Sequence, residues 1–242
     1  MSASLPEFNR GAIRPMECLK SGWALIKGEY WLFLGITAAG ILVGSVVPMG
    51  ILLGPMMCGI YLCLLRRMRG ERVEFSGLFK GFDFLGESLI ATLIQVVPMI
   101  VLLVPLYVVF FVGMTTLAPD RRSGGRTVND PSAIITFFIV MGVVFLVFML
   151  IIMAISALFI FSYPLIVDRR LSGVNAVKTS ARAIFANLGG AFGLLFLNVL
   201  LGIVGLLFCY IGAFFVMPVG MAAWTVAYRQ VFPAQQDFQG GI

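Results

Sequence analysis

The chain has 242 residues, of which 60% are apolar and 12% charged, with a net charge of +6 and no histidine. Its mean hydropathy is +1.04. Soluble domains carry about 25% charged residues, so the composition excludes a soluble class and points to one membrane domain over 1–242.

From the start of the chain, Pro6, Glu7 and Asn9 fall where a signal peptide needs an unbroken apolar run. No cleaved leader is therefore expected, and the first span serves as the targeting signal. Ile13, Met16, Leu19, Trp23 and Ile26 recur at helical period and predict an amphipathic helix in the cytoplasmic interface. Tyr30 to Leu65 is uncharged and long enough for two spans, with Pro48 and Gly50 supplying the turn. Within it, Gly40 with Gly44 and Gly50 with Gly54 put small residues one helical turn apart, the spacing that lets helix backbones pack closely in lipid.

A second interfacial segment follows at Phe75, Leu78, Phe79, Phe82 and Leu85, and Leu89 to Met114 predicts a third span. The polar stretch 115–132 reads as an outside loop. Ala133 to Val167 is 35 residues, about 52 Å as a helix. It is too long for one span and short for two, and without a turn cluster it is read as one projecting helix rather than a broken one. Asp168-Arg169-Arg170 closes it as a solvated ion pair at the headgroups. Val174, Val177, Ala181, Ile184 and Leu188 form the third interfacial helix. Gly190 to Tyr228 holds two further spans that part near Tyr210, Ile211 and Gly212.

The predicted fold is therefore all-α and polytopic, with six transmembrane helices, amphipathic interfacial helices and an internal hairpin repeat. Charge placement agrees with it. With both termini inside, 14 of the 17 basic residues lie on the cytoplasmic side, and only Arg121, Arg122 and Arg126 lie outside. The repeat joins 18–67 to 176–230: Leu19 to Ile26 aligns with Val177 to Ile184, and Pro55 and Arg66 meet Pro218 and Arg229. Both copies enter from and return to the cytoplasm, so they form parallel repeats about the membrane normal. The middle hairpin covers 75–168.

Chemistry has little to stand on. Without histidine the commonest general base is missing, and neither G-x-x-x-x-G-K-S/T nor G-x-G-x-x-G occurs. The four cysteines have no metal or disulfide spacing and read as small apolar residues. No cofactor, metal or catalytic residue is expected, and no nucleic-acid partner. No ionisable residue lies near the centre of a span, which disfavours a coupled pump. Gln95 and Asn198 are the only carboxamides well inside the spans. Arg66, Arg67, Arg69, Arg169, Arg170, Lys178 and Arg182 are the candidate contacts to anionic headgroups.

These residues carry a resemblance. Pro164, Asp168, Ala176, Ser180, Asn187, Gly212, Pro218, Tyr228, Arg229 and Phe232, together with Arg69-Gly70-Glu71 and the Leu78-Phe79-x-Gly81-Phe82 element, resemble the YciC-like and related domain-of-unknown-function groups of bacterial inner-membrane proteins. The resemblance implies a six-helix inner-membrane protein and supplies no catalytic motif. Two function classes follow: a non-enzymatic scaffold or envelope-maintenance component engaging lipid, a protein partner or a second copy, and a passive channel or carrier in which Gln95 and Asn198 face a small neutral or lipid-like substrate.

Overall fold

The computed structural model describes residues 6–46, 51–117, 131–207 and 211–234. Among them the chain is all helical. The order is α1 (Pro15–Ile26), a 3₁₀ turn (Lys27–Glu29), α2 (Tyr30–Val46), α3 (Leu53–Met68), a 3₁₀ segment (Phe75–Phe84), α4 (Leu85–Leu117), α5 (Pro131–Leu158), α6 (Ser162–Arg169), α7 (Gly173–Ala186), α8 (Leu188–Leu207) and α9 (Ile211–Val231). Among the described residues four helical stretches are long and apolar enough to cross a membrane: Pro15–Val46, Phe75–Thr115, Ile135–Arg169 and Leu188–Leu207. α3, at 16 residues, and α9 are not among these four.

The chain divides into two compact units, 1–94 with 157–242 and 95–156. In the first, α9 is the central helix: residues 222 to 228 are buried on every side, as a helix within a core must be. α1 lies across it, with Gly22 so close that a Cβ would meet the backbone nitrogen of Ala223 at 2.6 Å. Phe161, Trp224, Tyr228 and Phe232 pack ring to ring around it at centroid distances of 5.2–6.1 Å. The second unit holds most of α4 and α5. Their apolar side chains, among them Val101, Val108, Phe111, Ile139 and Leu146, are exposed around the helix circumference.

Helix ends follow the sequence closely in places. α2 stops at Val46 and α3 begins at Leu53, bracketing the expected turn, although Pro48 and Gly50 lie outside the described residues. α8 and α9 part near the expected Ile211, and Tyr210 also lies outside them. The expected 115–132 loop begins later, since α4 runs to Leu117, and Arg121, Arg122 and Arg126 are beyond the described residues.

Two expectations are corrected. The helix read as continuous over 133–167 is interrupted by a turn at Phe159, Ile160 and Phe161. Pro164 has no N–H to offer the Ile160 carbonyl four residues back, and its ring crowds that carbonyl. The backbone groups freed at the break are taken up by one side chain: the Ser180 hydroxyl donates to the Leu158 carbonyl at 2.6 Å and accepts from the Phe161 N–H at 3.1 Å. Second, the segment Phe75–Phe84 is 3₁₀ and not α, and Leu85 already begins α4. Gly59 of α3 and Gly81 of the segment let the two backbones touch, and a Cβ on Gly59 would collide with the Leu78 carbonyl oxygen. In a 3₁₀ helix every third residue is eclipsed. Leu78, Gly81 and Phe84 therefore turn inward together, leaving Phe79, Phe82 and Leu85 outside. The buried stripe of α1 is Cys18, Gly22 and Ile26, while Met16 and Trp23 of its apolar face are exposed.

Candidate functional site

The densest assembly of polar chemistry lies where α6 ends against the last turn of α9. Asp168 closes α6, and its carboxylate, 8% exposed, accepts two hydrogen bonds from the Arg229 guanidinium at 2.7 and 3.0 Å and one from the Tyr228 hydroxyl at 2.8 Å. Arg169 turns back beside it, with Nε 3.5 Å from the same carboxylate and Nη2 donating to the Pro233 carbonyl. Arg170 takes a left-handed backbone, φ 53°, and its guanidinium sits 4.8 Å from the Phe84 ring centroid. The expectation of a solvated ion pair at Asp168 is thus corrected. The pair is buried, because Arg229 and Tyr228 come to it from a helix 60 residues farther on.

The same part of the unit is tied by further bonds. The Asn187 amide accepts from the Ala12 N–H at 2.8 Å and donates to the Asn9 carbonyl at 3.1 Å. The Gln230 side-chain oxygen accepts from the Arg14 N–H at 3.0 Å, and the Asn9 N–H donates to the Val231 carbonyl at 2.9 Å. The Glu87 carboxylate accepts from the Gly173 N–H, supplying an acceptor and a negative charge to the N-terminus of α7. Sequence reasoning singled out Asn187 only as a resemblance position and found the partners of none of these three groups. Their only signal was a carboxamide or carboxylate next to an apolar run, without anything in the sequence to name its partner.

The seven candidate headgroup contacts divide. Arg67 binds Glu29 at 3.0 Å and the Leu25 carbonyl, while Arg66 and Arg69 flank Glu71 at 3.9 and 2.6 Å. Arg169 and Arg170 are occupied as described. Lys178 and Arg182 are exposed and, among the described residues, enter no ion pair. Being four apart, they share one face of α7, whose other face buries Ala176, Thr179, Ser180 and Ala183.

Of the two carboxamides, Asn198 donates to the Leu194 carbonyl of its own helix at 2.9 Å, and its oxygen lies against Gly220 of α9, where a Cβ would collide with it. Gln95 is half-buried at the first residue of the second unit. Among the packing glycines, Gly40 faces Ile60, Gly44 faces Leu53, and Gly54 faces Thr92 and Ser88, all inside the first unit. Gly50 is not among the described residues.

Chemically, this arrangement binds and braces. Among the described residues no group of three or more His, Cys, Asp or Glu is placed to hold a metal ion. The resemblance positions Asp168, Ser180, Asn187, Tyr228 and Arg229 all have hydrogen-bonding partners within the fold. No known family, curated protein or solved structure matches the chain.

Proposed function

We propose that the protein is an integral component of the bacterial inner membrane, of the YciC-like kind, serving as a non-enzymatic scaffold or envelope-maintenance factor that engages anionic lipid or a partner protein from the cytoplasmic face. The observation that carries this reading is α7, with one face built into the core and Lys178 and Arg182 displayed on the other. Each basic residue near an anionic surface contributes about 1 kcal/mol. Lys178→Glu with Arg182→Glu is therefore expected to weaken binding of the detergent-solubilised protein to phosphatidylglycerol vesicles, most visibly at low salt, where the attraction is least screened. Unchanged binding leaves only the partner-protein form of the proposal.

In this reading α2, α3, α4, α5, α8 and α9 are the six spans, both termini are cytoplasmic, and α1–α3 and α7–α9 are the parallel repeat. In support, each group is an amphipathic helix followed by two apolar ones. α3 is about 24 Å long, shorter than a hydrocarbon core of about 30 Å, and Arg66 and Arg67 at its end reach the headgroups by local thinning of the bilayer. Cysteines introduced at Ser123 and Ser172 of a cysteine-free chain test the topology. An impermeant maleimide on sealed cells is expected to label the first and spare the second, and labelling at Ser172 refutes the six-span arrangement. Against the carrier alternative, the Asn198 amide donates to a carbonyl of its own helix.

A further inference from the structure

Along one side of the rod formed by α1, the 3₁₀ turn and the start of α2, basic and indole side chains alternate. Lys20, Trp23, Lys27 and Trp31 are three, four and four residues apart, the spacing that keeps helical residues on one face. All four are exposed, Trp23 at 47% and Trp31 at 73%, while the other face buries Cys18, Gly22 and Ile26. The rings are held in place. Trp23 packs against Tyr30 at 5.6 Å between centroids, and Trp31 meets Tyr30 at 5.8 Å and Phe215 at 6.1 Å. The Tyr30 hydroxyl in turn donates to the Phe215 carbonyl at 2.6 Å. The acids of the segment are engaged elsewhere, Glu17 with Arg14 and Glu29 with Arg67. Among the described residues Lys20 and Lys27 enter no ion pair.

We propose that this stripe binds the headgroup layer of the bilayer, the lysines taking phosphates of anionic phospholipid and the indoles the boundary between headgroups and acyl chains. Hydrocarbon is a poor cover, since two ammonium groups would lose their water without gaining a partner. Water alone leaves both indole faces unburied. The headgroup layer offers phosphate to an ammonium and an amphipathic boundary to an indole. Connectivity favours it over an acidic protein. The proposal rests on the reading of α2 as a span, and the rod from Pro15 to Val46 is a single stretch long and apolar enough to be one. Trp31 lies in the first turn of α2, and Lys27 precedes it by about 6 Å along the axis, against a headgroup layer about 5–8 Å thick. A protein that paired both lysines and covered Trp31 would have to enter that layer itself.

The chain has three tryptophans, and Trp224, at 6% exposure, supplies a buried background. Trp23→Phe and Trp31→Phe each keep one indole of the stripe. The full chain carrying either change is reconstituted in phosphatidylethanolamine and phosphatidylglycerol with added phosphatidylcholine brominated near the glycerol end or near the methyl end of an acyl chain. Both variants are expected to be quenched several-fold more by the shallow bromines than by the deep ones. At the shallow position, brominated phosphatidylglycerol should quench several-fold more than brominated phosphatidylcholine. Lys20→Gln with Lys27→Gln should abolish that preference, and Lys20→Arg with Lys27→Arg should keep it. Stronger quenching by deep bromines, quenching by aqueous iodide in place of bromolipid, or a preference for phosphatidylglycerol that is absent or survives in the glutamine variant overturns the proposal and leaves the spanning reading standing. Release of the chain from the vesicles by alkaline carbonate removes the spanning reading, and the proposal with it. The vesicle-binding result at Lys178 and Arg182 concerns α7 and leaves each of these outcomes unchanged.

Discussion

The two units of this chain handle apolar sequence in opposite ways. In the first, α9 is wrapped by other helices and its last turns carry a buried, hydrogen-bonded charge pair. In the second, α4 and α5 are more apolar still, and yet their most apolar stretches are not buried inside the protein. Hydropathy alone therefore does not say what a helix packs against. The difference lies in residue size and polarity: the first unit has Gly22, Gly59 and Gly81 at helix crossings and Ser180, Asn187 and Asp168 to satisfy each other's neighbours. The second has mostly large aliphatic and aromatic residues, which suit a lipid surroundings.

Substitutions that treat the two units alike should show this contrast. The largest effect is expected at Asp168→Ala, which strands the Arg229 guanidinium and the Tyr228 hydroxyl. Breaking a buried pair costs about 3–5 kcal/mol, and the lower end applies because Arg229 is 16% exposed. Reversible unfolding in mixed detergent micelles measures it, and adding Arg229→Met should restore much of the loss, since an apolar replacement of a buried pair is often neutral. A smaller loss, about 2 kcal/mol, is expected for Gly59→Ala, whose methyl meets the Leu78 carbonyl and forces α3 from the 3₁₀ segment. Gly142→Ala is the counterpart in the second unit. With open space around it, the change should lie within about 0.5 kcal/mol of neutral. Equal effects at Gly59 and Gly142 would erase the distinction between the units.

Much of the helical layout was legible because bilayer-length apolar runs and turn-forming residues are local signals. The gap between α2 and α3 and the start of α9 could be read from Pro48, Gly50 and Ile211 and their neighbours. What escaped was non-local. Pro164 was visible, but the hydroxyl that makes a break tolerable belongs to Ser180, beyond the next turn. The 3₁₀ winding of Phe75–Phe84 depends on glycine-to-glycine contact with α3. On α1 the residue that packs inward is Gly22, and its absent side chain gave no apolar signal to mark it. At the charged cluster, Asp168 and Arg229 were each noticed, and nothing short of the fold could join them.

The seam between α1 and α9 has a bearing on how the protein is made. Gly22 rests on Ala222 and Ala223, and Asn9 is hydrogen-bonded to Val231, so about the first two dozen residues wait for a partner roughly 200 residues downstream. At about 5–20 residues per second, translation leaves them waiting on the order of 10–40 s. During that interval the inner stripe of α1 lacks its neighbour α9, and under the proposed membrane reading the bilayer interface shelters it. Under that reading the nascent chain holds its first amphipathic helix at the bilayer surface until α9 exists to receive it. A ribosome stalled short of α9 would leave the α1 side of this seam uncovered and open to proteolysis at its N-terminal strap.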